Sequence, residues 1–401
     1  MNVTLIGLGG TGNTVTVEAR EALEQAEIII GAARLLESLA KSDRHKYFTE
    51  YIIKEILNIL EREHAARACV VFSGDTGFYS GARALLPQLQ KRGYDCRVLP
   101  GVSSVQLLAA RLGRAWQDWT LVSAHGAACD PIAAIMGGKP TFFLTGGDNT
   151  PAALCRALTE AGLGDVRVTV GENLADAKER VVETTASKAA EQVFAPLSVL
   201  LVEAVERPDV PVGGVADDAF LRGNVPMTKQ EVRAAILSKL ALRRTDTVWD
   251  VGAGTGSVSV ELALAANEGR VYAVECADEA CSLIEKNRRR FGAWNLKLVR
   301  GTAPEALSDL SAPDAVFVGG SKGRLRAILE AALSANPAAR LCVSAVALET
   351  LGAALESCKA LNLDTEITQL SVARSRPAGE LHLLTANNPV FLITAKRGQG
   401  A

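Results

Sequence analysis

Two glycine-rich stretches, a few acids placed after them and a scatter of cations are the residues of this chain that could do chemistry. In "TVWDVGAGTGS", residues 247–257, Asp250 precedes Gly252, Gly254 and Gly256. A dinucleotide fingerprint would read GxGxxG, with its third glycine at position 257. That position is Ser257, so the pattern is [DE]xGxGxG. A pyrophosphate needs a helix N-terminus. S-adenosylmethionine has no phosphate and carries an amine, a carboxylate and a sulfonium. An acid at a strand end beside bare backbone suits that zwitterion, because glycines let the main chain approach a ligand closely. The loop Gly252, Ala253, Gly254, Thr255 and Gly256 is therefore expected to hold S-adenosylmethionine, with Asp250 behind it. About 20 residues on, "RVYAVECAD" ends in Glu275, an acid placed to accept ribose hydroxyls. Thr302 and Ala303, in "VRGTAPEAL", are placed for the adenine edge.

Substrate class is read from the next strand. Methyltransferases that act on amino nitrogens carry a [DNS]PP[YF] loop there, whereas this chain has "DAVFVGGSKG", which favours a carbon acceptor. Lys322 and Arg324 follow it, and "VARSRPAGE" adds Arg374 and Arg376. Cations in loops at the end of a parallel sheet fit a substrate with several carboxylates.

The second glycine stretch, "VTLIGLGGTG", holds Gly7, Gly9, Gly10 and Gly12. Three strand-to-helix loops accompany it. "VFSGDTGFYSGA" supplies Gly74, Asp75, Phe78 and Tyr79, "LPGVSSVQLL" supplies Ser103 and Ser104, and "FLTGGDNTPAAL" supplies Thr145 ahead of a Thr150–Pro151 helix start. No GK[ST] follows, so these are not P-loops; they offer main-chain hydrogen bonds to a folded cofactor. His125, in "VSAHGA", sits at another strand end and is read as a substrate contact. The chain has 4 histidines, and its pattern offers no His–Asp or Cys–His pair for general-base catalysis. None of the 8 cysteines forms a CxxC, so neither a zinc site nor a redox dithiol is expected.

These residues need elements to position them. At 401 residues, 48% hydrophobic and 22% charged, the chain has material for two or three cores. Apolar runs ending in glycine alternate with amphipathic stretches, the mark of parallel strands covered on both faces. The alternation breaks at "ERPDVPVGGVADDAFLRGNVPMT", a linker or irregular extension, and resumes with the helix "TKQEVRAAILSKLAL". The expected division is residues 1–206, a linker or extension over 207–225, and 226–401. "EITQLSVARSR" and "NPVFLITAK" are read as a final antiparallel pair of strands. A net charge of −2 argues against a polyanion-binding surface. No basic leader or apolar run of about 20 residues is visible, so a cytoplasmic protein with no membrane segment is expected.

The motifs "VTLIGLGGTG", "FSGDTGFYSGA", "PGVSSVQLLAARLG", "SAHG" and "LTGGDNTPAAL" resemble the tetrapyrrole (corrin/porphyrin) methylases, in their carbon-5 branch. "MTKQEVRAAILSKL", "DVGAGTGSVSVELA", "GTAPEAL", "VFVGGSKG" and "ARSRPAGELHLLTANNPV" resemble the carbon-15, decarboxylating precorrin methyltransferases. The order is that of the fused enzymes of cobalamin biosynthesis. Two departures stand out: Thr302 where Gly-Asp-Ala is usual, and Gly10 where a proline is common. The resemblance implies an α/β protein, with an N-terminal two-subdomain tetrapyrrole methylase fold followed by a Rossmann-like class I methyltransferase. It implies an S-adenosylmethionine site in each half: Gly9, Gly74, Asp75, Phe78, Ser103, Ser104 and Thr145 in the first, and Thr228 with the glycine loop, Glu275 and Ala303 in the second. It implies a reduced tetrapyrrole substrate whose meso carbons are already nucleophilic, so that alignment in a dry cleft matters more than a strong base. Lys322, Arg374 and Arg376 would hold its carboxylate arms. Self-association and no nucleic-acid partner are expected. A methyltransferase acting on RNA or protein, with the N-terminal half as a non-catalytic scaffold, remains the alternative.

Overall fold

The computed structural model describes residues 1–10, 14–126 and 129–398. The chain divides into two compact units: Met1–Pro131 with Lys139–Ala204, and Ile132–Gly138 with Val205–Ala401.

The first unit holds two five-stranded sheets. β1 (Asn2–Gly7), β2 (Ile28–Gly31), β3 (Lys46–Thr49), β4 (Arg67–Phe72) and β5 (Asp95–Leu99) form a wholly parallel sheet in the order β3-β2-β4-β1-β5. Its apolar runs are buried on both faces, between one cluster around Leu5 and Val70 and another around Ile6 and Val71. β6 (Thr120–Ser123), β7 (Thr141–Leu144), β8 (Arg167–Glu172), β9 (Arg180–Thr185) and β10 (Ser198–Val202) follow in the order β6-β7-β10-β8-β9. Here the apolar runs mislead: β10 pairs antiparallel with both β7 and β8. Phe142 and Phe143 are both fully buried, so both faces of this sheet are covered as well. Burial on two faces produces the continuous apolar run, and strand direction leaves no mark on it. The helix after β7 starts as its sequence demands, with Thr150 as N-cap accepting the Ala153 N–H at 3.2 Å and Pro151 in the first turn.

The second unit is built on one seven-stranded sheet. β11 (Thr247–Val251), β12 (Arg270–Glu275), β13 (Leu296–Arg300), β14 (Ala315–Val318), β15 (Arg340–Ala345), β16 (Leu363–Leu370) and β19 (Val390–Arg397) take the order β13-β12-β11-β14-β15-β19-β16. The first five are parallel and β19 runs antiparallel to β15 and β16, so the expected antiparallel pair is present. One expectation fails in detail. "EITQLSVARSR" is not one strand; it breaks after Leu370, and β17 (Ala373–Ala378) pairs with β18 (Leu381–Ala386) as a separate exposed hairpin. Pro377 cannot donate to a ladder, and a hairpin edge tolerates it. The proline- and glycine-rich segment before the sheet is not a free tether, because Val215 and Phe220 are buried in the core of this unit. Among the described residues no helix is long and apolar enough to cross a membrane.

Candidate functional sites

At the C-terminal ends of β1 and β4 the first unit opens into a cavity of about 480 Å³. Backbone packing builds its wall. Gly9 and Gly74 exchange both N–H···O bonds, at 3.1 and 2.9 Å, and both glycines have positive φ. A Cβ on Gly101 would overlap the carbonyl oxygens of Gly74 and Gly7, so three loops meet where only glycine fits. Asp75 clamps them: its Oδ1 accepts the Gly77 N–H (2.8 Å) and its Oδ2 the Gly101 N–H (3.1 Å). Gln106 reaches back to the Ser103 N–H (2.8 Å), a capping box that fixes the start of the helix Ser104–Leu112. The buried Thr145 hydroxyl donates to the Ser198 carbonyl at 2.6 Å. His125 Nδ1 lies 3.4 Å from the Thr145 carbonyl, and Gly146 leaves the room its ring occupies.

Every residue expected in this half lines that one cavity: Gly9, Gly74, Asp75, Phe78, Ser103, Ser104, Thr145 and His125. Gly12 lies outside the described residues. Arg34, Ser38 and Asn173 line the cavity too, without having been singled out in the sequence. Arg34 follows β2, a strand end that no glycine motif marks.

The second unit opens at the ends of β11 and β12 into a cavity of about 640 Å³. Gly252, Gly254 and Gly256 all have positive φ. A Cβ on Gly252 would lie 2.6 Å from the Gly320 carbonyl oxygen. Gly256 opens the helix Ser257–Ala265. Glu275 is tied to the loop: its Oε2 accepts the Gly254 N–H (2.9 Å), and its Oε1 accepts those of Cys276 (2.8 Å) and Ala277 (3.0 Å). Burial alone would raise the Glu275 carboxyl, but the N–H groups of Ala277, Gly254 and Cys276 outweigh it and hold the pKa below the usual value. Asp250 behaves oppositely. It is fully buried, its Oδ2 accepts the Ser259 hydroxyl and its Oδ1 has no partner among the described residues. Burial pushes its pKa up to about 7, with Ser259 opposing.

Thr228, Asp250, Gly252, Ala253, Gly254, Thr255 and Glu275 line this cavity, whereas Gly256, Thr302 and Ala303 do not. Gly256 instead packs against Ile284. The Gly301 N–H bonds the Glu275 carbonyl at 2.9 Å, which sets Thr302 and Ala303 at the same sheet edge, but Ala303 is buried in the core. The three cations expected to hold substrate lie outside the cavity wall. Lys322 is exposed and donates to Cys276 Sγ at 2.9 Å. Arg374 is committed elsewhere, its guanidinium gripped by Glu231 (2.6 and 2.9 Å) and by Asp217 (2.7 Å). Arg376 is exposed on β17. Sequence spacing could not reveal that Asp217, Glu231 and Arg374 meet. Lys229, Asn387 and Asn388 line the cavity and were not expected there; "ANNPV" was the available signal. The neighbouring Thr228 carbonyl is held by Arg233 (2.6 Å), itself fully buried and paired with Glu261 (2.7 Å) and Asp217 (2.8 Å).

Family comparisons divide the chain in the same order. Tetrapyrrole (corrin/porphyrin) methylases match residues 2–190, and a precorrin methyltransferase domain matches residues 218–397. A Sinorhizobium protein named precorrin-6Y C(5,15)-methyltransferase [decarboxylating] is 32% identical over 401 residues, covering 98% of this chain and 95% of its own length. A Salmonella typhimurium cobalt-precorrin-6B C(15)-methyltransferase (decarboxylating) is 41% identical over 184 residues, covering 45% of this chain and 95% of its own. A crystal structure of precorrin-6y C5,15-methyltransferase from Geobacter metallireducens is similar to 47% of this chain and 100% of that one, at 38% identity and a TM-score of 0.46.

Proposed function

Because this chain belongs to the precorrin-6Y C(5,15)-methyltransferase (decarboxylating) family, we propose that its two cavities are two separate S-adenosylmethionine sites, one for each methyl group. The first unit methylates carbon 5 of a precorrin macrocycle; the second methylates carbon 15 and removes the acetate carboxyl of ring C. The observation that carries this reading is that each unit brings its own glycine loop and a strand-end acid to one cavity, Gly9 and Asp75 in the first and Gly252, Gly254 and Glu275 in the second.

The residues fit the cofactor. In the second unit the unpartnered Asp250 Oδ1 is an acceptor waiting for a donor, as the cofactor's ammonium is. Glu275 Oε2 has a lone pair left for a ribose hydroxyl, and Gly252 leaves the main chain bare. In the first unit the loops around Gly9, Gly74 and Ser103 offer main chain and hydroxyls, with Asp75 already tied to its own loops. When bound, S-adenosylmethionine supplies an electrophilic methyl group on a sulfonium. The protein's share is to orient and to exclude water. The interlocked glycines fix the first cavity, and the loop around Thr228, held by Arg233, lines the second. Asn387 and Asn388 contact the substrate in the second cavity, and His125 contacts it in the first. The protein acts in the cytoplasm, self-associates and has no nucleic-acid partner.

The test is product mass after incubating the full chain with precorrin-6Y and methyl-labelled cofactor. Two labelled methyls with loss of one carboxyl are expected. An unchanged substrate, with cofactor still bound, would overturn the reading.

A further inference from the structure

We propose that Arg34 anchors a carboxylate arm of the methyl acceptor at the mouth of the first unit's cavity; this rests on reading that cavity as the carbon-5 methylation site. Arg34 lies on the short helix Ala33–Glu37 that follows β2, and β2 pairs in parallel with β4. Its Nη2 donates to the Ser73 hydroxyl at 3.0 Å, and Ser73 follows β4. Both residues line the cavity and both are exposed, so the guanidinium stands at the rim and not in the buried wall.

What distinguishes Arg34 among the described residues is that it is the only Lys or Arg lining this cavity, and that it has no acid. In the same unit Arg111 grips Glu179, Arg114 grips Glu203, and Arg180 pairs with Glu172. Arg34 has no carboxylate partner among the described residues; a single neutral hydroxyl holds it. Neither acid that lines the cavity pairs with Arg34. Both oxygens of Asp75 accept backbone N–H groups, and Asp176 Oδ1 accepts the Lys178 N–H at 2.9 Å. A guanidinium has five donors in a planar fork suited to bidentate recognition of a carboxylate, and one bond to Ser73 leaves most of them free. Ser73 fixes the fork without neutralising it.

A carboxylate here has two sources: an acetate or propionate arm of the acceptor, or the methionine end of the cofactor. The deep wall holds the buried Ser103 and Thr145, while Arg34 stands in solvent at the opening. A macrocycle too large for a cavity of about 480 Å³ must leave its arms at that opening. The geometry therefore points to the acceptor.

The experiment uses full-length Arg34→Ala and Arg34→Lys with precorrin-6Y, following the two methylations separately and measuring cofactor affinity without acceptor. Carbon-15 methylation serves as the internal control for folding. For Arg34→Ala the expected result is an acceptor KM about 10- to 100-fold higher in carbon-5 methylation, the scale of one charge-assisted pair. The kcat of that step, the cofactor affinity and carbon-15 methylation stay within about threefold, and Arg34→Lys recovers part of the loss, since it keeps the charge without the fork. Weakened cofactor binding with an unchanged acceptor KM would assign Arg34 to the cofactor and overturn the proposal; so would no change in either. Failure of the reading beneath it shows differently, as wild-type protein that binds cofactor in this cavity and never methylates carbon 5.

Discussion

The two cavities differ in what they present to a ligand: the first sets a guanidinium at its rim above main chain and hydroxyls, and the second keeps an unpartnered carboxylate oxygen in its wall. Asp75 gives both oxygens to its own loops. Glu275 does much the same, yet Asp250 behind it keeps an unpartnered oxygen. The first site is thus preorganised, with the unneutralised Arg34 at its rim, while the second holds a carboxyl that burial raises toward neutral pH. One cofactor can be held in both ways because it is a zwitterion with a long neutral stretch. Shape can select it, and so can charge.

The sharpest way to break this comparison is to fill one glycine in each loop. Gly101→Ala collides with the Gly74 carbonyl, and Gly252→Ala forces a β-carbon to φ +73° against Gly320. Each is expected to lower its own methylation by roughly 100-fold or more, because displaced backbone misaligns the reacting groups, and to spare the other. Separate carbon-5 and carbon-15 product assays check this; loss of both activities from either change would deny that the sites are independent. Glu275→Gln should come next, weakening cofactor binding by about 10- to 100-fold in the second site alone, as titration of the variant would show.

A smaller effect comes from pH at the second site. Burial raises Asp250 to about 7, so below that it is neutral and offers an ammonium no charge. A bound cation favours the ionised form. Cofactor affinity of the second site should therefore rise, by up to about tenfold between roughly pH 5.5 and 7, as the carboxyl ionises. Asp250→Asn should flatten that profile. A flat profile or a fall in the wild-type second site would contradict the assignment. The smallest effect is expected at Arg374. It pairs with Glu231 and Asp217 near the surface, so Arg374→Met should cost about 1 kcal/mol or less in thermal unfolding and leave the acceptor KM unchanged. A large rise in KM would restore the substrate role that its sequence neighbourhood suggests.

That contrast also marks where the sequence is legible. Glycine loops, strand-end acids and helix caps act within a few residues of themselves, so Gly252, Glu275 and Thr150 could be placed from spacing alone. Three of the cations could not. A long flexible side chain is assigned by what it meets, and Arg374 meets Asp217 and Glu231, carboxylates more than a hundred residues away in sequence. Arg34 shows the reverse case, a cation with no motif around it that the order of β2 and β4 brings to the cavity. The antiparallel pairing of β10 was hidden because its run records burial on two faces and not direction. The hairpin β17–β18 was hidden because it packs no apolar face into the core that would impose a period.

The central claim is that one chain holds two cofactor sites. Calorimetric titration of the full chain with S-adenosylmethionine near pH 7, repeated on Gly101→Ala and Gly252→Ala, tests it most directly. Two equivalents per wild-type chain are predicted, and one in each variant, with the site left in Gly101→Ala strengthening as pH rises toward 7. A single equivalent in wild type, abolished by one variant and untouched by the other, would contradict the account and leave one half of the chain without a cofactor.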